Sequence, residues 1–152
     1  KKDYLFEITV WVHPYDEASH WDSLLNDFIN QGINISLNGS RGFDALTEFD
    51  LVVSGYSTIL YESVHRGIPS VSLLFGLQGA DPLITNILQL SKAIYSEEEL
   101  QEFIGGFKYS FEKRNLAKHS QAAKMKGLFF SDGCATKRIS DLIMGKCITE
   151  KC

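Results

Sequence analysis

The sequence lacks most of the features that would assign a class at once. No apolar run approaches the ~20 residues needed to span a bilayer. No secretory signal is visible, because the chain opens Lys1-Lys2-Asp3 and runs straight into a strand-like segment. That opening also lacks a Met, which leads us to expect a piece of a longer protein. Cysteine is scarce: Cys134, Cys147 and Cys152 all lie near the C-terminus, with no Cys-x-x-Cys and no His at zinc spacing. We read them as free thiols of a reducing compartment, with a Cys147–Cys152 disulfide as the alternative. Net charge is −4, so no global basic field favours nucleic acid. There is no internal repeat and no low-complexity segment.

Known phosphate and nucleophile motifs are missing too. No Gly-x-Gly-x-x-Gly follows the first strand-like run, which argues against a dinucleotide site of that type. No Gly-x-x-x-x-Gly-Lys-Ser/Thr is present, so there is no P-loop. Ser54-Gly55-Tyr56-Ser57 has the wrong order for a Gly-x-Ser-x-Gly nucleophile elbow. A phospho-acceptor Asp would be wanted at a strand end, and the central strand ends in Ser54. No Asp-x-Asp pair offers itself to a metal, and Asp44, Glu48 and Asp50 are spread too regularly to be persuasive ligands. These residues point to no metal site.

What is present is an ordinary globular composition. The 152 residues are 44% hydrophobic and 22% charged, enough for one domain with a core. Residues 4–12 (YLFEITVWV) are rich in aromatic and β-branched types and predict a strand that stops at His13-Pro14. A helix follows, with Ser19 as its cap, Trp21, Leu24, Leu25, Phe28 and Ile29 at helical spacing, and Gly32 as its stop. Ile33, Ile35 and Leu37 alternate with polar residues as a second strand, and residues 38–42 form a loop. A short helix over 43–49 leads to a buried strand over 51–53. Further strands are expected at 70–74 and 92–95, and helices at 83–90, 97–107, 111–126 and 134–144. Ser96 is placed to cap the helix that starts at Glu97.

Strands alternating with helices predict an α/β fold. We expect a single Rossmann-like domain over 1–152, with a parallel sheet covered by helices on both faces. In such sheets ligands bind outside the carboxyl ends of the strands. That rule selects His13-Pro14, residues 38–42 with Arg41, residues 54–58, and residues 75–81.

The stretch around 50–69 organises the rest. An apolar strand ends in the turn Ser54-Gly55-Tyr56-Ser57-Thr58, and a helix begins there until Gly67 and Pro69 stop it. A hydroxyl-rich turn at a helix N-terminus suits a phosphate. Thr58, Glu62 and His65 fall on one helix face; Ile59, Leu60, Ser63 and Val64 make the other, which should pack on the sheet. On the cleft side the Glu62 carboxylate could accept two hydrogen bonds from a vicinal diol such as a ribose. Plainer readings stand beside these: Ser57 as a helix cap only, Glu62 as a solvated helix residue, His13 as a hydrogen-bonded edge residue. His20, His65 and His119 read as structural. Lys108, Lys113, Arg114, Lys118, Lys124 and Lys126 read as a solvated helix face, with a phosphate-rich lipid surface as the sharper alternative.

The segment DLVVSGYSTILYESVHRGIPSV, starting at Asp50, resembles the donor-binding motif of GT-B glycosyltransferases. His13-Pro14 resembles the His-Pro motif of bacterial sialyltransferases and of the CDP-glycerol glycerophosphotransferase and capsule-polymerase group. The ending FFSDGCATKRISDLI is similar to the closing helix of many such enzymes. The resemblance implies a metal-independent transferase with two facing Rossmann-like halves, of which this chain matches the C-terminal, donor-binding half. It implies that His13, Ser57 and Thr58 contact the donor phosphate and Glu62 the ribose. Ser54 and Gly55 belong to the same turn, and the loop at Leu74, Phe75 and Gly76 would meet the base through its backbone. Arg41 has no counterpart in the family pattern and enters only from its place at a loop. The donor would be a UDP-, CDP- or CMP-linked sugar, a substrate rather than a cofactor. The acceptor would be a saccharide or surface polysaccharide brought by the absent half, so the chain by itself would bind without turnover. The expected setting is the cytoplasm, with the inner face of the membrane as an alternative. A UDP-N-acetylglucosamine 2-epimerase shares the fold, but the doubled Gly and paired Glu expected there are not found around Glu62. A non-catalytic nucleotide-sugar-binding module is the third reading.

Overall fold

The apolar runs and amphipathic segments do fold into parallel strands and helices. The computed structural model describes residues 6–13, 15–38, 43–108 and 133–146. The chain is α/β and divides into two compact units, Lys1–Glu48 and Phe49–Cys152.

In the first unit β1 (Ile8–Trp11) pairs in parallel with β2 (Ile35–Asn38), with Ile8 opposite Ile35 and Trp11 opposite Asn38. The crossover between them is α1 (Ala18–Asn30), which packs on β2. Its N-cap is Glu17, not the expected Ser19, and no side chain closes the cap. Ser19 lies inside the first turn because residue 18 is already helical, so its hydroxyl is two positions too late to cap. Gly32 ends the helix as expected: its φ is 80°, and the Gly32 and Ile33 amides donate to the Ile29 and Phe28 carbonyls. The segment Phe43–Glu48 is a 3-10 helix.

The second unit holds a parallel sheet in the order β3 (Val52–Ser54), β4 (Ser70–Leu73), β5 (Lys92–Ile94). The ladders thus form two small sheets, where a single one was expected. The β3–β4 crossover is α2 (Thr58–His65), which packs on both strands. Its burial follows the expected face: Leu60, Ser63 and Val64 are buried, while Thr58 and His65 are exposed. Gly67 ends it in the left-handed region at φ 71°, with Gly67 N–H donating to the Val64 carbonyl and Ile68 N–H to the Ser63 carbonyl. That pair of bonds satisfies carbonyls the helix end would otherwise leave open, and it requires a residue without a Cβ penalty.

Leu60, Val64, Ile68, Val71, Leu74, Leu90 and Ile94 form the buried apolar set of this unit together with Val52. Each fully buried aliphatic side chain contributes about 1.5–3 kcal/mol. The helix expected over 83–90 is one turn only, α3 (Ile84–Ile87). Gln89 takes a left-handed φ of 55°, which ends the helix while keeping Leu90 buried. Then come α4 (Glu97–Lys108) and α5 (Ala135–Ile143). Ser96 caps α4 as expected, its Oγ accepting from the Glu99 amide at 3.3 Å. The apolar side chains of α5, Ile139, Leu142 and Ile143, are all exposed.

One expectation about cysteine is overturned. Cys134, read as a free thiol, is disulfide-bonded, and its partner lies outside the described residues. Chain position says little about this, because a disulfide needs only Cα atoms about 4.4–6.8 Å apart in space. The argument from free thiols to a reducing compartment therefore falls away. The helix expected over 111–126, the basic residues after Lys108, and Cys147 and Cys152 also lie outside the described residues. Among the described residues no helix is long and apolar enough to cross a membrane.

Candidate functional site

The residues singled out in the sequence fall in both units. In the first, His13 is exposed two residues after β1. Its Nδ1 accepts from the Tyr15 amide at 3.3 Å, its carbonyl accepts from the Asp16 amide at 2.9 Å, and its ring lies 5.3 Å from that of Tyr15. An Nδ1 that accepts puts the proton of the neutral ring on Nε2, which leaves Nε2 as a donor. Pro14 and Arg41 lie outside the described residues.

In the second unit the turn between β3 and α2 brings Ser54, Gly55, Ser57 and Thr58 together at the carboxyl end of β3. Ser57 is the N-cap, in extended conformation, and its Oγ accepts from the Ile59 amide at 3.3 Å. The Ser57 carbonyl accepts from the Leu60 amide. Ser57 therefore caps the helix. Thr58 follows it as the first helical residue and is exposed. A Cβ added to Gly55 would meet the Leu73 carbonyl at an ordinary 3.8 Å, so packing there does not demand glycine.

Glu62 lies one turn further on and is half-buried. Its Oε2 is paired with Nη1 of Arg66, four residues along the same helix, and Arg66 Nη1 also reaches the Glu62 carbonyl at 3.4 Å. Sequence reasoning passed over Arg66, although an acid followed four residues later by a base on a helix is a recognised pair. An ionised carboxylate has lone pairs on both oxygens, so a pinned Glu62 still has accepting capacity. The Arg66 contact fixes its rotamer.

After β4 the chain turns at Phe75-Gly76, where the Leu77 amide donates to the Leu74 carbonyl at 3.1 Å and Gly76 has φ 71°. Phe75 is exposed. Behind this turn lies a polar network that the sequence did not announce. Asp81 Oδ1 accepts from the Leu83 amide at 2.8 Å, and Asp81 Oδ2 accepts from Asn86 Nδ2 at 2.8 Å and from the Tyr95 hydroxyl at 3.1 Å. Asn86 Nδ2 also donates to Ser72 Oγ at 2.7 Å, and Ser91 Oγ donates to Asn86 Oδ1. Glu99 Oε2 accepts from the Tyr95 amide at 2.8 Å. Desolvation, then the Asp81 hydrogen bond and the charges of Asp81 and Glu99, hold the Tyr95 phenol above the ordinary tyrosine value.

Comparison with known protein families, curated proteins and solved structures returns no match. The site is a hydroxyl-lined turn at a helix start, an Arg-held carboxylate one turn in, and a braced loop on the neighbouring strand. Elsewhere in the unit, Lys92, Glu99, Glu102, Phe103, Gly106 and Phe107 line an open groove of about 490 Å³. None of these residues belongs to the turn.

Proposed function

We propose that the second unit is the donor-binding part of a glycosyltransferase, and that the turn 54–58 holds the phosphate of a nucleotide-activated sugar. The observation that carries this reading is the junction of β3 and α2. A parallel strand delivers Ser54, Gly55, Ser57 and Thr58 to the N-terminus of a helix whose far face, Leu60, Ser63 and Val64, is buried. Of the first amides of α2, Ile59 is taken by Ser57 Oγ and Leu60 by the Ser57 carbonyl, and the aligned peptide dipoles favour an anion at this end. Such an interaction contributes about 0.3–1 kcal/mol when exposed and more when partly buried. Burial of the opposite face makes the turn a rigid receptor rather than a loop that must order on binding.

Glu62, with its rotamer fixed by Arg66, accepts hydrogen bonds from the ribose diol in this reading. The Phe75-Gly76 turn on the adjacent strand borders the same edge of the sheet. The reaction served is displacement of the nucleotide from the anomeric carbon by an acceptor hydroxyl. The C–O bond to the leaving phosphate breaks, the new glycosidic bond forms, and the acceptor proton passes to a base. The turn stabilises the charge that develops on the phosphate.

Calorimetric titration with UDP, CDP, CMP and GDP tests this, with Thr58→Ala and Glu62→Ala alongside. Saturable binding of one of these nucleotides, weakened in both variants, supports the reading. No heat at millimolar nucleotide would remove it. Binding unchanged in both variants would move the site away from the turn.

A further inference from the structure

Helix α5 has little packing to hold it. It is nine residues long, and none of them is buried. A helix this short is marginal in water without tertiary packing. Its ion pair, Lys137 Nζ to Asp141 Oδ2 at 3.1 Å, is half-open to solvent and adds little. The C-terminal end is well closed: Gly145 takes φ 63°, and the Gly145 and Lys146 amides donate to the Leu142 and Asp141 carbonyls. The N-terminal end has no such closure, because the N-cap, Cys134, makes no side-chain hydrogen bond. What Cys134 does have is a disulfide.

The sequence holds three cysteines, so the partner of Cys134 is Cys147 or Cys152. The helix decides between them. A disulfide needs Cα atoms about 4.4–6.8 Å apart. At about 1.5 Å of rise per residue, Asp141 stands roughly 10 Å along the axis from Cys134, and its carbonyl points further away. The Lys146 amide is tied to that carbonyl at 2.8 Å. Cys147 is one Cα step of about 3.8 Å beyond Lys146, too short a step to return to Cys134. Cys152 is six steps beyond Lys146, an extended reach of about 20 Å, which is enough.

We propose that Cys134 is joined to Cys152, that this bond is the clamp on α5, and that Cys147 is a free thiol. The bond closes the chain around the helix and removes unfolded states in which residues 135–151 spread out. It also makes α5 sensitive to thiol reductants. A dithiol supplies two electrons and two protons, the Cys134–Cys152 S–S bond breaks to two thiols, and the dithiol becomes a disulfide. Helix α5 is then left with its own local bonds and unravels. The clamp is independent of any ligand at the turn 54–58.

Tryptic mapping of the full chain, alkylated before any reduction, tests the pairing. Trypsin cuts after Lys137, Lys146 and Lys151, so each cysteine falls on its own fragment. We expect Cys134 linked to Cys152, and Cys147 alkylated. Cys134 linked to Cys147, or all three cysteines alkylated, overturns the proposal. Hydrogen exchange at the amides of Arg138, Met144, Gly145 and Lys146, which are all bonded to α5 carbonyls or to Cys134, tests the clamp. Dithiothreitol and Cys152→Ser should each speed exchange there by about tenfold or more, and Cys147→Ser should leave it as in the wild type. The Leu60 amide of α2 is the reference and should keep its protection throughout. If α5 exchanges at the same rate before and after reduction, the bond does not hold the helix and the clamp is overturned. If Leu60 loses protection to the same extent as α5, the bond holds the whole unit and the assignment to α5 is wrong.

Discussion

The two compact units place their apolar residues differently. In the second, Val52, Leu60, Val64, Ile68, Val71, Leu74, Leu90 and Ile94 are all buried. In the first, Leu25 and Leu46 are buried, while Ile8 of β1 and Leu24, Phe28 and Ile29, which lie at helical spacing on α1, are exposed. The crossover helices show why. Helix α2 lies against β3 and β4 of a ladder that a third strand extends, so its apolar stripe is covered. Helix α1 lies against β2 of a ladder of two strands, and two strands offer a helix little apolar area. A candidate site that needs fixed geometry is better placed on the second unit, and the turn 54–58 is there.

Truncating the two helices should show the contrast most strongly. Leu60→Ala removes a side chain that is 1% exposed and should cost about 2–5 kcal/mol in urea unfolding followed by circular dichroism. Leu24→Ala in α1 should stay within about 0.5 kcal/mol, since Leu24 is 48% exposed. Equal costs would erase the distinction. Next in size is Gly67→Ala, which forces a Cβ into the left-handed region at φ 71° and should destabilise by about 1–2 kcal/mol. Ser57→Ala removes a side-chain cap and should cost about 1 kcal/mol. Glu17→Ala in α1, whose cap makes no side-chain bond, should cost much less. The smallest effect is in alkali. The folded protein holds Tyr95 protonated above the usual tyrosine value of 10.0, so the unfolded chain ionises first. Stability from this phenol is complete below that value and is lost as pH rises through the raised one. Tyr95→Phe should flatten that part of the stability–pH curve, and a curve unchanged by the substitution would dissociate Tyr95 from Asp81.

Much of this was legible where local chemistry decides. The apolar run before Ser54, the helical spacing of Leu60 and Val64, and the Gly67 stop are short-range signals, and they placed β3, α2 and its buried face. Ser96 as a cap and Gly32 as a stop were readable for the same reason. What was not legible depends on partners far along the chain. The Asp81–Tyr95 bond joins residues fourteen positions apart and has no motif. The Cys134 disulfide is of the same kind. The helix expected over 83–90 shortened because Gln89 adopts a conformation that sequence assigns to glycine or asparagine. Ser19 resembled a cap by residue type, but the backbone entered the helix earlier. At the candidate site, Ser57 and Glu62 were chosen for chemistry. Their structural partners, the Ile59 amide and Arg66, show that each also holds the helix.

The central claim is that the turn after β3 receives a nucleotide phosphate. Backbone amide chemical shifts, followed by NMR while UDP, CDP, CMP or GDP is added, test it residue by residue. The account predicts a saturable shift for one of them, centred on the amides of Gly55, Tyr56, Ser57, Thr58 and Ile59. Amides at these positions that stay unmoved by every nucleotide at millimolar concentration, or a saturable response centred on another part of the chain, would contradict it.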